Sequence, residues 1–403
     1  MDKLVVMKFG GSSVATPEKI KNVANRITQK AKKNRVVVVV SAPGDLTDDL
    51  IQKAKSITET PDPREMDMLL ATGEMQSIAL LTMAIKENGC DAISLTGPQA
   101  GIYADRIHTK AKIKKIRPKK VIEELKKNKI VIVAGFQGIN PNDDITTLGR
   151  GGSDLTAVAL AAVLKSKICE IYTDVKGVYT ADPRVVNDAR KLDKISYDEM
   201  LELAGVGSQV MMARSIEVAK KFNVPIHVRS TFSTEKGTVI TKEVGNMEEV
   251  VVSGIAFDKN ETKVSICDVP DKPGIAAKIF GALAKKNINV DMIIQSAARE
   301  GYNDISFTVS KNDLKNAITI LKNVSQKLGG GDIIADENVA KISIVGIGMR
   351  SHPGVAAKMF KILADNAINI QMISTSEIKI SCVISNKDTD KAVNALHGGF
   401  GLG

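Results

Sequence analysis

Residues 1–245 alternate short apolar runs, rich in β-branched side chains, with stretches of helical periodicity. Runs that are apolar on both faces are typical of parallel strands that helices cover on either side. The alternation therefore predicts a three-layer α/β fold with a mainly parallel central sheet. We predict strands at Leu4–Phe9, Val36–Val40, Lys129–Ala134, Glu170–Thr173 and Pro225–Val228, and helices at Pro17–Lys30, Met75–Glu87, Asp154–Leu164 and Ser215–Lys221.

The remainder of the chain contains one pattern twice. Asp271–Ile293 has the sequence DKPGIAAKIFGALAKKNINVDMI, and Ser351–Ile373 has the sequence SHPGVAAKMFKILADNAINIQMI. Each copy follows the same pattern, which is a strand, a Pro-Gly loop, an amphipathic helix, an Ile-Asn pair and a second strand. Because only two copies are present, we predict a pair of small α+β domains rather than a solenoid.

The two copies differ beyond their second helix. The first copy continues to a possible strand at Asp332–Ala335, whereas the second ends with HGGFGLG, which contains no strand-like run. A spare apolar run, Glu249–Phe257, precedes the first copy. Our hypothesis is that a strand from residues 246–262 completes the sheet of the second copy. The expected domains are 1–245, 263–337 and 338–403.

Composition argues against several classes of partner. Only 3% of the residues are aromatic and Trp is absent, so few rings are available to stack on nucleic-acid bases. The net charge of +10 includes the basic run Lys110–Lys120, which lacks aromatic residues and lies near no DNA-binding motif. We interpret this run as a solvated surface and expect no nucleic-acid partner.

Metal and membrane signals are equally weak. The four cysteines and four histidines are scattered along the chain, which argues against a preformed zinc site. The N-terminus lacks the apolar stretch of a signal peptide, and no apolar segment approaches the length of a membrane span. The expectation is a soluble, cytoplasmic protein without a metal cluster or a membrane partner.

Two glycine-rich loops adjoin predicted helices and strands. Lys8 and the pair Gly10-Gly11 come directly at the end of an apolar strand, where glycines let backbone N–H groups approach a ligand and the cation favours phosphate. Arg150 is surrounded by Gly149, Gly151 and Gly152 ahead of a helix, an arrangement suited to an anion such as a carboxylate. An ordinary strand–turn–helix connection and a capped flexible loop are the alternative interpretations.

Two further motifs carry acidic groups. Glu74 comes after Thr72-Gly73 at the predicted start of the Met75–Glu87 helix, so it is either a favourable partner of the helix dipole or a ligand for a substrate ammonium. The stretch Tyr172–Arg184 leads from an apolar strand into Asp, Gly, Tyr and Arg, at the strand end where α/β sheets bind ligands. A simple turn built from Asp and Pro is the alternative.

Taken together, these motifs closely resemble the aspartate kinases, in that family's order and spacing and over essentially the whole chain. The tandem repeat resembles the two ACT domains of that family. The resemblance implies an amino-acid-kinase fold followed by two ferredoxin-like ACT domains. The motifs that carry it are KFGGSSV, VVSAPGDLTDDL, LATGE, LTGPQAGI, TTLGRGGSD and IYTDVKGVYTADPRVV.

The resemblance also implies roles for individual residues. Lys8 and Asp182 match catalytic positions, with Asp182 expected to organise Lys8. The matches for ATP binding are Lys8, Gly10, Gly11, Ser41, Thr173, Asp174, Tyr179 and Arg184. The matches for aspartate binding are Thr47, Glu74, Arg150, Gly151, Gly152 and Ser153, of which Arg150 pairs with the α-carboxylate and Glu74 with the α-amino group. Gln209 departs from the family pattern, where a Lys that reaches ATP is frequent.

The family's activity is transfer of the γ-phosphate of ATP to the aspartate side chain, with Mg²⁺ bound mainly by the phosphates. The resemblance further implies feedback by lysine or threonine and a homodimer joined through the ACT domains. The candidate effector contacts are Asp271, Gly274, Ala276, Asn289 and Gln295 in the first copy, and Gly354, Val355, Asn369, Ser374 and Thr375 in the second.

Two alternatives stay open from the sequence. One is another enzyme of the same fold that phosphorylates glutamate or N-acetylglutamate. The other is a catalytically dead amino-acid sensor, against which the presence of Lys8, Arg150 and Asp182 argues. One or both repeat copies could also serve only as dimerisation modules.

Overall fold

The computed structural model describes residues 3–205, 210–242, 251–350, 352 and 354–403. The chain divides into two compact units. The first holds residues 3–178, 191–204 and 210–242, and the second holds residues 179–190 together with the chain from residue 251 onward.

The first unit contains all five predicted strands and all four predicted helices, together with further strands and helices between them. Its elements are β1 (Lys3–Phe9), α1 (Pro17–Ala31), β2 (Asn34–Val40), α2 (Leu46–Ile57), α3 (Pro63–Glu87), β3 (Ala92–Leu95), β4 (Ile102–Ala104), β5 (Ile113–Ile116), α4 (Lys119–Lys126), β6 (Ile130–Ala134), β7 (Gln137–Ile139), β8 (Ile145–Thr147), α5 (Gly152–Val163), β9 (Cys169–Thr173), β10 (Lys194–Ser196), α6 (Tyr197–Gly205), α7 (Ala213–Phe222), β11 (Ile226–Ser230) and β12 (Thr238–Thr241).

Within the described ranges, eight strands form the central sheet, in the order β10-β12-β11-β9-β1-β2-β6-β3. All neighbouring pairs are parallel except β11 and β12, which confirms the mainly parallel sheet. One face, which includes Phe9 and Val40, packs in a core with α1 and α3. Helix α5 packs on strands β1, β2 and β9. A small second sheet has the order β5-β4-β7-β8.

Helix α3 begins earlier than the sequence pattern predicted. The predicted start at Met75 was wrong, because Asp62 caps the helix by accepting hydrogen bonds from the backbone N–H groups of Arg64 and Glu65, and Pro63 occupies the first turn. An Asp-Pro pair is a typical start signal that the apolar periodicity alone does not report. Glu74 therefore lies inside the helix and not at its N-terminus.

Helix α3 is also the one described helix that is long and apolar enough to cross a membrane by length and composition. The expectation that no segment approaches that length was therefore wrong. Half of its most apolar stretch is buried in the molecule, and the helix carries the buried carboxylates of Asp67 and Glu74. Buried core helices commonly pass the same length test, and we interpret α3 as such a helix.

The second unit contains two four-stranded antiparallel sheets in its described part, ordered β15-β16-β14-β17 and β13-β18-β20-β19. Each sheet packs on two helices of its own repeat copy. The elements are β13 (Gly254–Asp258), β14 (Glu261–Pro270), α8 (Ile275–Ala284), β15 (Ile293–Gln295), β16 (Tyr302–Ser310), α9 (Leu314–Leu328), β17 (Ile333–Asp336), β18 (Val339–Val345), α10 (Val355–Asp365), β19 (Ile370–Thr375), β20 (Lys379–Ser385) and α11 (Thr389–Phe400).

Strand β13 precedes the first copy in sequence but pairs with β18 of the second copy, with Gly254 opposite Val345 and Asp258 opposite Lys341. The first copy has its own fourth strand, β17, which pairs with β14. Glu249 and Val250, the start of the predicted spare strand, lie outside the described residues. The expected domain boundaries at 245, 262 and 337 stay predictions.

Candidate active site

The candidate site lies where the parallel strands of the first unit end. Phe9 at the end of β1 is level with Val40 of β2 and with Tyr172 of β9. Gly10 N–H donates to the Tyr172 carbonyl at 3.2 Å, and Ser41 N–H donates to the Phe9 carbonyl at 3.1 Å. The structure therefore places the predicted residues Gly10, Gly11, Ser41, Thr173 and Asp174 along one edge of the sheet, as expected for ligand binding in α/β sheets.

Lys8 forms a buried ion pair at this edge. Its Nζ lies 2.7 Å from Oδ1 of Asp154, in the first turn of α5, and both side chains are only about a tenth exposed. That oxygen receives no hydrogen bond within the described residues, so the contact is electrostatic. A Cβ placed on Gly10 would lie 3.6 Å from the same Nζ, which puts the Lys8 charge against the glycine loop.

The glycine loop is closely packed against the end of β2. A Cβ at Gly11 would lie 2.6 Å from the Ala42 carbonyl oxygen, closer than real Cβ contacts, and Gly44 N–H donates to the Gly11 carbonyl at 3.0 Å. Position 11 thus needs glycine for backbone contact. The close approach seen here is of one loop to another, and the approach of Gly10 and Gly11 to a ligand stays a prediction.

Sequence reasoning did not single out Asp154 as a site residue. It is the last residue of the TTLGRGGSD motif, and an acidic residue in the first turn of a helix was assigned only a capping role. The expected partner of Lys8, Asp182, belongs to the second unit. There Asp182 accepts hydrogen bonds from the Arg184 backbone N–H and side chain, and that side chain holds the pKa of Asp182 below its ordinary value. The catalytic role of Asp182 stays a prediction.

Glu74 reaches the sheet edge from the middle of α3. Gly73 allows this close packing, since a Cβ there would lie 2.7 Å from the Ala42 Cβ. Oε1 of Glu74 accepts a hydrogen bond of 3.0 Å from the Ala42 N–H, whereas Oε2 is buried and has no partner in the described part of the chain. Burial raises the pKa of Glu74 to about 7, and the bond from Ala42 opposes part of the rise.

An unpaired, buried carboxylate oxygen is costly unless a ligand satisfies it. Glu74 is only 3% exposed, so bulk water does not fill this role. A cationic group such as an ammonium would both donate to Oε2 and favour the ionised form. The arrangement therefore supports Glu74 as a cation-binding residue, independently of the resemblance.

The loop before α5 presents the predicted Arg150 at its exposed tip. Gly151 adopts φ 66°, a left-handed conformation that favours glycine, and packs against Met212. Gly152 and Ser153 are buried, and a Cβ at Gly135, the residue after β6, would lie 2.5 Å from the Ser153 hydroxyl. The structure thus brings Ser153 to the strand ends. Thr47 lies half-buried in the first turn of α2.

The next strand along the sheet adds polar residues that the sequence analysis missed. Thr231 comes directly after β11, its N–H donates to the Thr173 carbonyl at 2.8 Å, and its hydroxyl lies 2.6 Å from the Ser13 hydroxyl. Ser13 belongs to the KFGGSSV motif, so the glycine loop and β11 are joined at the site. Thr173 in turn donates to the Asp174 carboxylate at 2.8 Å. Strand pairing, which the sequence does not display, was needed to find Thr231.

The second unit holds the other predicted nucleotide contacts, Tyr179 and Arg184, and all candidate effector residues. Arg184 has a largely exposed side chain. In the first repeat copy the candidates Asp271, Gly274, Ala276, Asn289 and Gln295 are all exposed. Gln209 lies outside the described residues.

In the second copy, Gly354 and Val355 line a cavity of about 600 Å³ together with Arg190, Lys358 and Phe400. Gly354 has φ 101° and precedes α10. Asn369, Ser374 and Thr375, which lie at or near strand β19, are not among the lining residues. The predicted effector contacts of this copy are therefore not brought together in that cavity.

In the described ranges, no group of three His, Cys, Asp or Glu side chains is placed to hold a metal ion. In the described part of the site, the possible metal donors include the carboxylates of Asp154 and Asp174, backbone groups and hydroxyls. Such a set fits a magnesium ion that is held mainly by phosphate oxygens and water, as Mg²⁺ with nucleotides usually is.

Comparison with known proteins agrees with this geometry. Residues 3–230 match the Amino acid kinase family, and residues 264–324 and 342–400 match the ACT domain. The fold and the site thus define an amino acid kinase followed by paired ACT domains.

The aspartokinase of Pseudomonas aeruginosa is 52% identical over 402 residues, which cover 99% of this chain and 98% of that protein. Aspartokinase 2 of Bacillus subtilis is 52% identical over 400 residues, with the same shares covered. The crystal structure of Clostridium acetobutylicum aspartate kinase has a TM-score of 0.78 at 26% identity, covering 98% of this chain and 100% of that one. The chain belongs to the aspartokinases, which confirms the family and the fold expected from the sequence.

Proposed function

We propose that this aspartate kinase transfers the γ-phosphoryl group of MgATP to the side-chain carboxylate of L-aspartate, giving 4-phospho-L-aspartate and ADP. The product would enter the cytoplasmic biosynthesis of lysine, threonine and methionine. The observation that carries the proposal is the buried Oε2 of Glu74, which has no partner among the described residues and lies at the strand ends that also hold the Lys8 loop.

In this proposal Glu74 binds the α-ammonium of aspartate, and Arg150 binds its α-carboxylate in a bidentate manner. Gly151, Gly152, Ser153 and Thr47 complete the aspartate side. Two opposite charges held at two points fix the amino acid and leave its side-chain carboxylate free to face the nucleotide. Recognition of both charged ends selects an α-amino acid over a nucleotide acceptor.

Phosphoryl transfer then needs little covalent help. The aspartate side chain, with a pKa near ~3.9, is already an anion at neutral pH, so no general base is required. One of its oxygens attacks the γ-phosphorus, the bond from that phosphorus to the β,γ-bridging oxygen breaks, and ADP leaves with the electron pair. The main obstacle is repulsion between anions, which positioning and positive potential reduce.

Lys8 supplies that positive potential. Its ion pair with Asp154 holds Nζ beside Gly10 before substrates bind, so no reorganisation is needed during the reaction. On the nucleotide side we propose Gly10, Gly11, Ser41, Thr173 and Asp174 from the first unit. Tyr179 and Arg184 are proposed as nucleotide contacts, and Asp182 as a catalytic residue, only from the resemblance of their motif to the family. Bound Mg²⁺ would neutralise phosphate charge when it accompanies ATP.

Feedback is the second part of the proposal. Lysine, threonine or both would bind the ACT copies through the candidate effector residues, and the protein would be a homodimer joined through these domains. The cavity beside Gly354 and Val355 supports a ligand at the second copy, since it combines cationic and apolar lining.

The activity is tested by trapping the acyl phosphate with hydroxylamine, in the presence of MgATP and aspartate, glutamate or N-acetylglutamate in turn. We expect hydroxamate with aspartate alone, and Lys8→Ala should lower kcat by roughly a hundredfold or more, comparable to the loss of one charged stabiliser. Hydroxamate formed faster with another acceptor would reject aspartate, and its absence with all three would leave a non-catalytic sensor.

Regulation is tested by adding lysine and threonine singly and together to the same assay. We expect inhibition by at least one of these additions. If neither amino acid changes the rate or the melting temperature, the repeat copies act only in assembly, which sedimentation velocity would reveal.

A further inference from the structure

Asp67 has a fully buried carboxylate that plays no part in the proposed reaction. It lies on α3, seven residues before Glu74, or about 10 Å along the helix axis. Oδ2 lies 2.7 Å from Nδ1 of His108, both oxygens accept the Thr109 N–H at 3.1 Å, and Oδ1 accepts the Thr147 hydroxyl at 2.5 Å. One carboxylate thereby joins three parts of the chain.

The partners of Asp67 lead directly to Arg150. Thr147 ends β8, and the loop after it carries Arg150. Gly149 rests on the other partner segment, because a Cβ there would lie 3.4 Å from the Thr109 carbonyl oxygen. The loop tip is exposed, so its position depends on these contacts at its base rather than on burial of the Arg150 side chain itself.

Arg214, on α7, holds the same two segments from another direction. Its Nη1 donates to the Leu148 carbonyl at 2.8 Å, and its Nη2 donates to the Ala111 carbonyl at 3.0 Å. Ala111 N–H also donates to the Thr147 carbonyl at 2.9 Å. A planar guanidinium that spans two carbonyls fixes their separation more firmly than a single ammonium does.

We propose that Asp67 and Arg214 are positioning residues for aspartate binding, which hold the loop 148–151 and thus Arg150 in register with Glu74 on α3. This inference rests on the proposed role of Arg150 in binding the α-carboxylate. A misplacement of about 1 Å at a recognition residue is enough to reduce catalysis substantially. ATP binding involves other strand ends and would be left intact.

The first test compares Arg214→Met with Lys220→Met. Both variants remove a cation from α7, but Lys220 pairs with the exposed Asp198 and does not contact the loop. We expect Arg214→Met to raise the aspartate KM about tenfold and to change the ATP KM less than twofold, and Lys220→Met to change neither. Arg214→Lys keeps the charge but has one donor nitrogen in place of the two that bind the carbonyls, so its aspartate KM should fall between those of wild type and Arg214→Met. The Lys variant replaces the Met variant in the test if Arg214→Met fails to fold.

The second test asks whether Arg214 acts through Arg150, by combining substitutions at both positions. In an Arg150→Ala background, adding Arg214→Met should leave the aspartate KM unchanged, because coupled residues do not act additively. A further tenfold rise in that background would show that Arg214 acts elsewhere and would overturn the inference. If Arg150→Ala by itself leaves the aspartate KM unchanged, the proposed function of Arg150 fails instead.

The third test uses two adjacent threonines of β8. Thr147→Val removes a donor to Asp67, whereas Thr146→Val removes a buried hydroxyl that has no partner within the described ranges. Both changes keep the β-branched shape. We expect Thr147→Val to raise the aspartate KM about fivefold and Thr146→Val to change it less than twofold. Equal effects, or effects on melting temperature without a change in KM, would contradict a positioning role.

Discussion

Helix α3 carries two buried carboxylates two turns apart, and their surroundings differ in one respect. Asp67 receives hydrogen bonds from Thr109 and Thr147 and contacts His108. Glu74 receives one bond, from the Ala42 N–H, and its other oxygen has no partner in the described residues. The helix and the functional group are the same and both residues are buried, so the difference lies in what the neighbouring loops supply.

The comparison shows how to tell a structural carboxylate from a ligand-binding one. A buried charge whose partners are all within the chain stabilises a local arrangement and is satisfied without substrate. A buried carboxylate with a free oxygen raises the energy of the empty site and lowers it when a cation arrives. In this kinase Asp67 is of the first kind and binds Thr109 and Thr147 next to the loop of Arg150, and we propose that Glu74, of the second kind, binds the substrate ammonium.

The largest expected difference between Glu74 and Asp67 concerns the binding of aspartate. Glu74→Gln removes the charge that pairs with the ammonium and should raise the aspartate KM on the order of a hundredfold, with the ATP KM unchanged. Glu65→Gln, an exposed substitution on the same helix, is the matched control. Steady-state kinetics with each substrate varied in turn provides the measurement, and an equal rise of both KM values would argue against ammonium binding.

The stability of the folded protein should depend on Asp67 more than on Glu74. Asp67→Asn places an amide among donors and should lower the free energy of unfolding of the first unit by about 3 kcal/mol. Glu74→Gln keeps the acceptor for Ala42 and should not lower it at neutral pH. Urea denaturation followed by circular dichroism measures the free energy of unfolding of both variants. If Glu74→Gln is the more destabilised variant, the distinction between the two carboxylates is wrong.

The stability of the empty protein should depend on pH through Glu74. Its folded-state pKa of about 7 lies above the ordinary value of 4.5, so the folded state binds the proton more tightly and the associated stability is lost as pH rises towards and through 7. Between pH 5 and pH 8 wild type should lose about 2 kcal/mol relative to Glu74→Gln. If the free energy of unfolding depends on pH in the same way in wild type and in Glu74→Gln, the pKa of Glu74 is not raised.

The pH profile of kcat/KM for aspartate should also report the raised pKa of Glu74. Only the ionised Glu74 pairs with an ammonium, so kcat/KM should fall below pH 7 and be about tenfold below its plateau at pH 6. The fall should disappear in Glu74→Gln, although at a lower plateau. A profile in the variant with the same inflection would assign the titration to another group.

Much of the site could be predicted from local sequence. Lys8 with Gly10 and Gly11, and Arg150 among its glycines, lie in short segments whose chemistry is evident from residue type and from the adjoining strand or helix. The start of α3 was also encoded locally, in Asp62-Pro63, but the apolar periodicity that was used begins later. That error placed Glu74 at a helix end, where a contact with the helix dipole was one of its two interpretations.

Other features could not be predicted, because they join distant segments. The ion pair of Lys8 with Asp154 connects β1 with α5. The pairing of β13 with β18 also bridges an entire repeat copy, but there the unequal ends of the two copies had led to the hypothesis of a strand from residues 246–262. Arg214 is 103 positions from Ala111, whose carbonyl it binds. Periodicity and motif spacing report which faces are buried, but not which polar groups meet across them.

The amino-acid sequence by itself determined the succession of strands and helices, the repeat, the family and the residue types at the strand ends. Backbone preference and apolar burial depend mainly on near neighbours, so a single chain displays them. The tertiary structure alone decided that, among the described residues, Glu74 has an oxygen without a partner while both oxygens of Asp67 have partners. Hydrogen-bond satisfaction is a property of all groups around an atom, and 32 positions separate Glu74 from the residue that pairs with it.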